Sequence, residues 1–343
     1  MAAFRRCLLI VIALIGAVAA GGVSGANTQS NPNPQNSDPA EAVHRQGNDA
    51  YRASDFVQAL ARYRQSCDAG LGKSCFNVAL MYQNGQAGTQ DAAQALQFWL
   101  RGCDGSYAPA CGAAADAYLL GLGTPAEPER GLALATRACE ASYWPSCGTL
   151  GKIYADGNGA PANSPLAEYY FSLACDNSEG DICEKYGSRK LAGYGLAKDP
   201  AVAAQIFGKG CNAGHSGSCN LLAVLYLDGT GIAADPAKAF TLASQSCNTG
   251  NSAGCNLVGS FYLDGKVVAQ DQVRAASIFA TSCEGGNREA CENLARQYLD
   301  GRGVTQNATE ARRLFGVACN LGRESSCAAV QFIDKLLAEE GGS

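Results

Sequence analysis

The sequence predicts an all-α protein: an α/α solenoid (a superhelix) of 36-residue helix-pair repeats, each stapled by a C-x7-C disulfide. Three observations predict it. Cysteines fall in pairs eight residues apart, and the pairs recur every 36 residues without insertion. Small residues, a tyrosine and a glycine keep the same phase. Helix-starting side chains fall at one fixed place in each period. A constant period of this size marks units that bury their apolar faces only by stacking on neighbours.

The N-terminus reads as an export signal. Residues 1–19 hold Arg5 and Arg6, an apolar run from Cys7 to Val18, and Ala17-Val18-Ala19 as a small-residue cleavage site. The run falls short of the roughly 20 apolar residues that a spanning helix needs. The expectation is a cleaved signal peptide, a mature chain without a membrane span, and a secreted or periplasmic address. Residues 20–38 are rich in Gly, Asn, Pro, Gln and Ser and read as a flexible linker. Residues 39–343 read as a single solenoid with a C-terminal capping helix.

Charge narrows the function. The chain has 26 Lys plus Arg against 31 Asp plus Glu, a net of −5 over 343 residues. Loss of residues 1–19 takes away two cations and no acid, leaving −7. Neither value fits a nucleic-acid binder, which carries a basic surplus. His44 and His215 are the only histidines, too few for His-based metal or acid–base sites.

Cys7 apart, the first member of each cysteine pair is Cys67, Cys103, Cys139, Cys175, Cys211, Cys247, Cys283 or Cys319. The second is Cys75, Cys111, Cys147, Cys183, Cys219, Cys255, Cys291 or Cys327. Other positions count from this second cysteine. Four residues on is small, from Ala79 to Ala295; seven on is Tyr in every copy except Lys190; ten on is always Gly, from Gly85 to Gly301. Twenty-three on is apolar from Phe98 to Leu314, and an aromatic often follows (Trp99, Phe171, Phe207, Phe279, Phe315).

Two helices per repeat satisfy this pattern. The first runs from about the second cysteine to the phased glycine, which suits the left-handed residue after a helix. The second starts after Asp91, Asn163, Asp199, Asp235, Asp271 or Asn307, with Glu127 the poorer N-cap. Pro200 and Pro236 suit the first helical position, and Asn307 with Glu310 fits a capping box. Gly47 to Tyr51 and Asp55 to Tyr63 form a leading pair that resembles a tetratricopeptide repeat, and Ala328 to Glu340 closes the stack.

Within one helix, residues eight apart lie about 12 Å apart, too far for a disulfide. Each C-x7-C must therefore turn, and Gly70-Leu71-Gly72 and Asn248-Thr249-Gly250 supply turns. Pairing each second cysteine with the next first cysteine would orphan Cys67 and Cys327. The local register is expected, with eight disulfides and no zinc. Structural zinc thiolates usually stand two to four residues apart, and exported proteins oxidise their thiols.

The order small–x2–Tyr–x2–Gly–x–Gly, then Asp, then Ala, then Ala/Gly-Cys resembles the Sel-one-like repeat family of α/α solenoids. Gly259 to Gly265 and Ala295 to Gly303 carry the resemblance well. It spans about residues 40–330, and the C-x7-C rhythm resembles the family's secreted cysteine-rich branch. The resemblance implies an adaptor or binding protein. It also implies an alternative, a β-lactam- or peptidoglycan-binding protein with weak β-lactamase-type activity; another relative is a mitochondrial assembly factor.

The residues favour binding. No Ser has Lys three positions on, and S-D-N, K-T-G and G-x-S-x-G are absent. G-x-G-x-x-A at Gly121, Gly157 and Gly229 follows a helix rather than a strand, so it reads as the repeat loop and not as a dinucleotide site. No catalytic residue and no cofactor is assigned. The expected ligand is a protein or peptide held in a concave groove, with a cell-wall peptide or β-lactam as the alternative.

By analogy with tetratricopeptide stacking, the residues one and five after the second cysteine line that groove. They include Phe76, Glu184, Asn220, Asn256 and Glu292, then Asp116, Lys152, Ser188 and Arg296. Asn220 and Asn256 suit hydrogen bonds to an extended peptide. Trp144, with Tyr107, Tyr143 and His215, is expected on a bridged turn, where an aromatic can anchor a partner.

Overall fold

The computed structural model describes residues 38–340 apart from 87, 178 and 179, with side chains as far as 335. The signal peptide expected over 1–19 and all but the end of the linker lie outside the described residues. Within them the fold is all helix, with no strand. The leading pair is α1 (Pro39–Arg52) and α2 (Phe56–Asp68). Seven helix pairs follow: α3 (Gly72–Asn84) and α4 (Ala92–Asp104), α5 (Ala108–Leu120) and α6 (Pro128–Glu140), α7 (Trp144–Asp156) and α8 (Ser164–Asn177), α9 (Asp181–Ala192) and α10 (Pro200–Asn212). Then come α11 (Ser216–Asp228) and α12 (Pro236–Asn248), α13 (Ser252–Asp264) and α14 (Gln272–Glu284), α15 (Arg288–Asp300) and α16 (Ala308–Asn320), and the closing α17 (Glu324–Glu340). From α2 onward each helix packs on the next in sequence, the stacking that a solenoid requires, and α1 meets α2 where Tyr63 lies over Gly47.

Local chemistry sets the boundaries. First helices begin three residues before the second cysteine (two in α9), earlier than the sequence suggests, and end where the phased glycine turns left-handed (Gly85 φ 65°, Gly193 φ 78°). Asp91, Asp199, Asp235, Asp271 and Asn307 each accept from the backbone N–H three residues on. Asn163 does the same for Leu166, while Glu127 makes no such bond. The backbone N–H of each cap donates to the carbonyl of the residue at the tyrosine phase, as in Asp91 to Tyr82 and Asp271 to Tyr262, both about 3 Å, and Asp199 to Lys190 at 2.8 Å. That bond closes the loop between the two helices. The capping box at Asn307 forms by half only. Glu310 N–H donates to Asn307, but the Glu310 carboxylate turns outward to Arg313, and the Asn307 N–H is already held by Tyr298.

All eight bridges take the local register, from Cys67–Cys75 to Cys319–Cys327, with Cα separations of 4.4 to 4.9 Å. Each joins the end of one repeat's second helix to the first helix of the next. Among the described residues no cluster of Cys, His, Asp and Glu could hold a metal ion.

Packing explains the small positions. Phe171, Phe207 and Phe279 lie over Gly151, Gly187 and Gly259, where an added Cβ would meet the ring at 2.6 to 2.7 Å. Glycine seats these three rings, whereas in two further repeats a buried alanine stands twenty residues before the aromatic, Ala79 before Trp99 and Ala295 before Phe315. In two other repeats both places hold alanine, Ala115 with Ala135 and Ala223 with Ala243, all four buried. The one non-tyrosine, Lys190, is 6% exposed and donates to Glu168 at 2.9 Å. A buried lysine paired with a half-exposed glutamate fills the tyrosine's place.

Candidate binding site on the first-helix face

Two adjoining cavities lie along α5, α7 and α9. The larger, about 770 Å³, is lined by Trp144, Pro145, Gly148, Thr149 and Lys152 of α7, Phe171 and Asn177 of α8, and Asp181, Ile182, Lys185 and Arg189 of α9. The smaller, about 270 Å³, is lined by Asp116, Leu119 and Leu120 of α5, Pro128 of α6, and Thr149, Lys152, Ile153 and Asp156 of α7, among others. Thr149 and Lys152 belong to both, so the two form one groove across three repeats.

The walls are apolar and fixed. Tyr186 stacks on Phe171 with ring centroids 5.4 Å apart. Burial, with Glu168 and Asp176 nearby, pushes its hydroxyl up to about 12, so it stays neutral. The Arg189 guanidinium sits 5.7 Å from the Phe171 ring centre and 5.0 Å from that of Tyr194. It also binds Asp156, and its side chain is only 15% exposed.

The rim is charged. Lys185 pairs with Asp181 at 3.1 Å, and both side chains are exposed. Asp116 opens on the groove, yet the surrounding repeats displace water from it. That desolvation raises its carboxyl above the ordinary value, and Lys152 pulls it the other way. The groove hydroxyl, Thr149, donates to the Pro145 carbonyl. Two Ser–His contacts exist elsewhere, His44 with Ser74 and His215 with Ser218, but both serines are fully buried. The groove therefore offers shape, apolar surface and cations, the requirements of binding.

The sequence placed Asp116, Lys152 and Trp144 among the candidates, and the structure brings these three together. Trp144 is half-buried and opens α7 rather than standing in a turn. Tyr107, Tyr143 and His215 are likewise N-cap residues, and the His215 ring accepts from the Ser218 N–H. Asn220, Asn256, Glu292 and Arg296 lie on α11, α13 and α15 and line neither cavity. Asn256 accepts from Asn293 at 3.0 Å. The Asn220 Oδ1 is buried without a partner. Glu292 is 3% exposed and is gripped by Arg296 and Arg323. The sequence reading missed Arg189 and Lys185, six and two residues after Cys183, and the Phe171 wall. Their signal was the cationic run of α9.

A sequence profile of the Sel1 repeat matches residues 72–107, 108–143, 149–179, 183–215, 216–251, 252–287 and 288–322. Five of these stretches begin at the first residue of α3, α5, α11, α13 or α15. The chain belongs to the Sel1-repeat family. A Sel1 repeat protein from Oxalobacter formigenes superposes with a TM-score of 0.70 at 19% identity, over 87% of either chain. A protective antigen of uropathogenic Escherichia coli strains with an SLR fold superposes with a TM-score of 0.69 at 24% identity. That match takes in 86% of this chain, which spans 64% of the antigen's length. Both likenesses are of fold. Among curated proteins nothing matches the chain. Eight disulfides in a Sel1-repeat scaffold fit an extracytoplasmic setting. Among the described residues no helix is long and apolar enough to cross a membrane.

Proposed function

We propose that this Sel1-repeat protein is an exported, disulfide-stapled scaffold that holds a protein or peptide partner against its first-helix face. The observation that carries this reading is the continuous groove over α5, α7 and α9, whose two cavities share Thr149 and Lys152. A cavity of this size with apolar walls and a few polar groups is the usual form of a recognition site. Trp144, half-buried at the mouth of the larger cavity, is of a residue type that dominates binding energy at interfaces. Each wall is set by the stack itself, so the site is preformed and its occupant loses little free energy to ordering it. Photo-crosslinking tests the reading. A crosslinker at Thr149 should capture an envelope component that the same group at Val57, exposed on α2, does not. Equal capture at both positions overturns it.

A further inference from the structure

The charge of the larger cavity runs against that of the whole chain. The protein carries a net of −5, but the larger cavity is lined by three cations, Lys152, Lys185 and Arg189, against one acid, Asp181. The three cations are not equivalent. Arg189 is spoken for by its two bonds to Asp156 and its place over Phe171. Lys185 is held only by an exposed i,i+4 pair with Asp181, 70% and 57% exposed, and such pairs hold their partners weakly. An incoming carboxylate can replace that partner. Lys152 makes no ion pair among the described residues, and it stands where the two cavities meet. A lysine ammonium is a point charge that accepts a carboxylate from many directions.

The apolar half has a matching form. Trp144, Pro145, Phe171 and Ile182 wall the larger cavity. Gly148 keeps it open, for an added Cβ there would stand 3.1 Å from Ile182 Cδ1. Asp116, 36 residues before Lys152, gives the groove a negative end. Beside it Leu120 is 70% exposed, a bare apolar surface.

We propose that the α7–α9 cavity takes an acidic peptide segment bearing a bulky apolar side chain. The side chain seats among Trp144, Phe171 and Ile182, and the flanking carboxylates lie on Lys152 and Lys185. Asp116 repels further carboxylates, so the acidic part of the peptide lies toward α9 and an apolar part toward Leu120. This rests on the partner-binding reading above and names the chemistry of the partner. The carboxylates can belong to Asp and Glu side chains or to a chain terminus.

The test is fluorescence anisotropy on the full oxidised chain with labelled peptides. The probes are Asp-Glu-Phe-Leu-Glu-Asp as free acid, the same peptide as C-terminal amide, Asn-Gln-Phe-Leu-Gln-Asn amide, and Asp-Glu-Ser-Ser-Glu-Asp. The first should bind saturably and weaken with added salt, as exposed charge pairs do. The neutral and the Ser-Ser probes should each bind about tenfold or more weakly, a difference of about 1.4 kcal/mol. Equal binding of acid and amide assigns the carboxylates to side chains; loss with the amide assigns them to the terminus. Lys152→Gln should weaken the acidic probe about tenfold and leave the neutral probe unchanged, and Lys152→Arg should restore it. Gly148→Met, which fills the cavity but keeps every charge, should abolish binding of both Phe-Leu probes. Far-ultraviolet circular dichroism identifies any variant that fails to fold. Equal affinity for the acidic and neutral probes, or no saturable binding of the acidic probe, overturns the proposal. If capture at Thr149 persists in that case, the groove still binds a partner and only its assigned chemistry is wrong.

Discussion

Arg189 and Asp156, 33 residues apart, share two hydrogen bonds, Nη1 to Oδ1 at 2.6 Å and Nη2 to Oδ2 at 3.1 Å. The pair ties α9 to the C-terminal end of α7 beneath the groove. A planar guanidinium matches a carboxylate in this two-bond form, and lysine does not. Arg189→Gln leaves Asp156 short of its partner and should cost about 1–3 kcal/mol. Arg189→Lys should recover only part of that loss. Chemical denaturation of the oxidised protein checks both variants.

The close fit of Phe207 on Gly187 gives a second prediction. The added methyl of Gly187→Ala would meet the Phe207 ring at 2.6 Å, and overpacking of this kind costs about 1–3 kcal/mol. Gly316→Ala, on α16, meets nothing within 4 Å and should stabilise by about 0.5–1 kcal/mol through helix propensity. Opposite shifts in melting temperature for the same chemical change would bear this out.

Ser142 follows Cys139 by three residues and has φ 64°. Ser106 has the same place and φ 60°, and five other repeats hold left-handed glycine there, for example Gly250 at φ 87° with open space around it. A side chain in that conformation costs about 1–2 kcal/mol. Ser142→Gly relieves it and loses some of the gain to the freer unfolded chain, so a net stabilisation of about 0.5–1 kcal/mol is expected. A thermal melt that shows a loss contradicts this.

His44 fastens α1 to the stack through a chain of hydroxyls. Ser66 donates to the Ala40 carbonyl and Ser74 donates to Ser66, so His44 Nδ1–H must donate to Ser74, at 2.7 Å. Burial first, then Lys73, holds the imidazole below its ordinary 6.5; Arg45 acts in the same direction and Glu41 against it. The folded value is the lower one. The full contribution therefore stands above 6.5 and is lost as pH falls toward the folded value, because the unfolded chain takes up its proton first. Hydrogen exchange in α1 should quicken over that range. His44→Asn keeps a donor without titrating, so the acceleration should shrink; an unchanged profile would argue against His44.

The bridges predict graded stability. Each closes a loop of about nine residues and should contribute roughly 2–3 kcal/mol by restricting the unfolded chain. Replacement of Cys175 and Cys183 by serine should cost more than the same change at Cys319 and Cys327, because folded repeats lie on both sides of the first pair. Urea unfolding of the two double variants gives the comparison. Peptide mapping without reductant should recover linkages eight residues apart.

The parts legible in the sequence are those decided within a few residues. The Asp91 cap, the Gly85 helix end and the Cys67–Cys75 turn each follow from local chemistry, and the period multiplied them along the chain. The groove was half legible. Asp116 and Lys152 lie at the phase that stacking geometry names, five residues after a cysteine. Phe171 was visible as a core aromatic, but its exposed edge depends on how α8 lies under α7. Glu292 shares a phase with Asn220 and Asn256 and looked equally open. Arg323, 31 residues away, closes it off. Arg189 escaped for the same reason, since Asp156 lies one repeat earlier. Contacts that span a repeat vary from copy to copy, and the period says nothing of them.

The spacing of the bridges also bears on how such a chain changes length over generations. Any tandem duplication of 36 residues within the stack copies one leading and one trailing cysteine, whatever its starting point. Across each new seam a leading cysteine again meets a trailing one eight residues on, as in all eight existing pairs. Deletion of 36 residues obeys the same rule. A lineage of these proteins can therefore gain or shed whole steps of groove in a single genetic event, without passing through an ancestor that exposes a stranded thiol in an oxidising compartment.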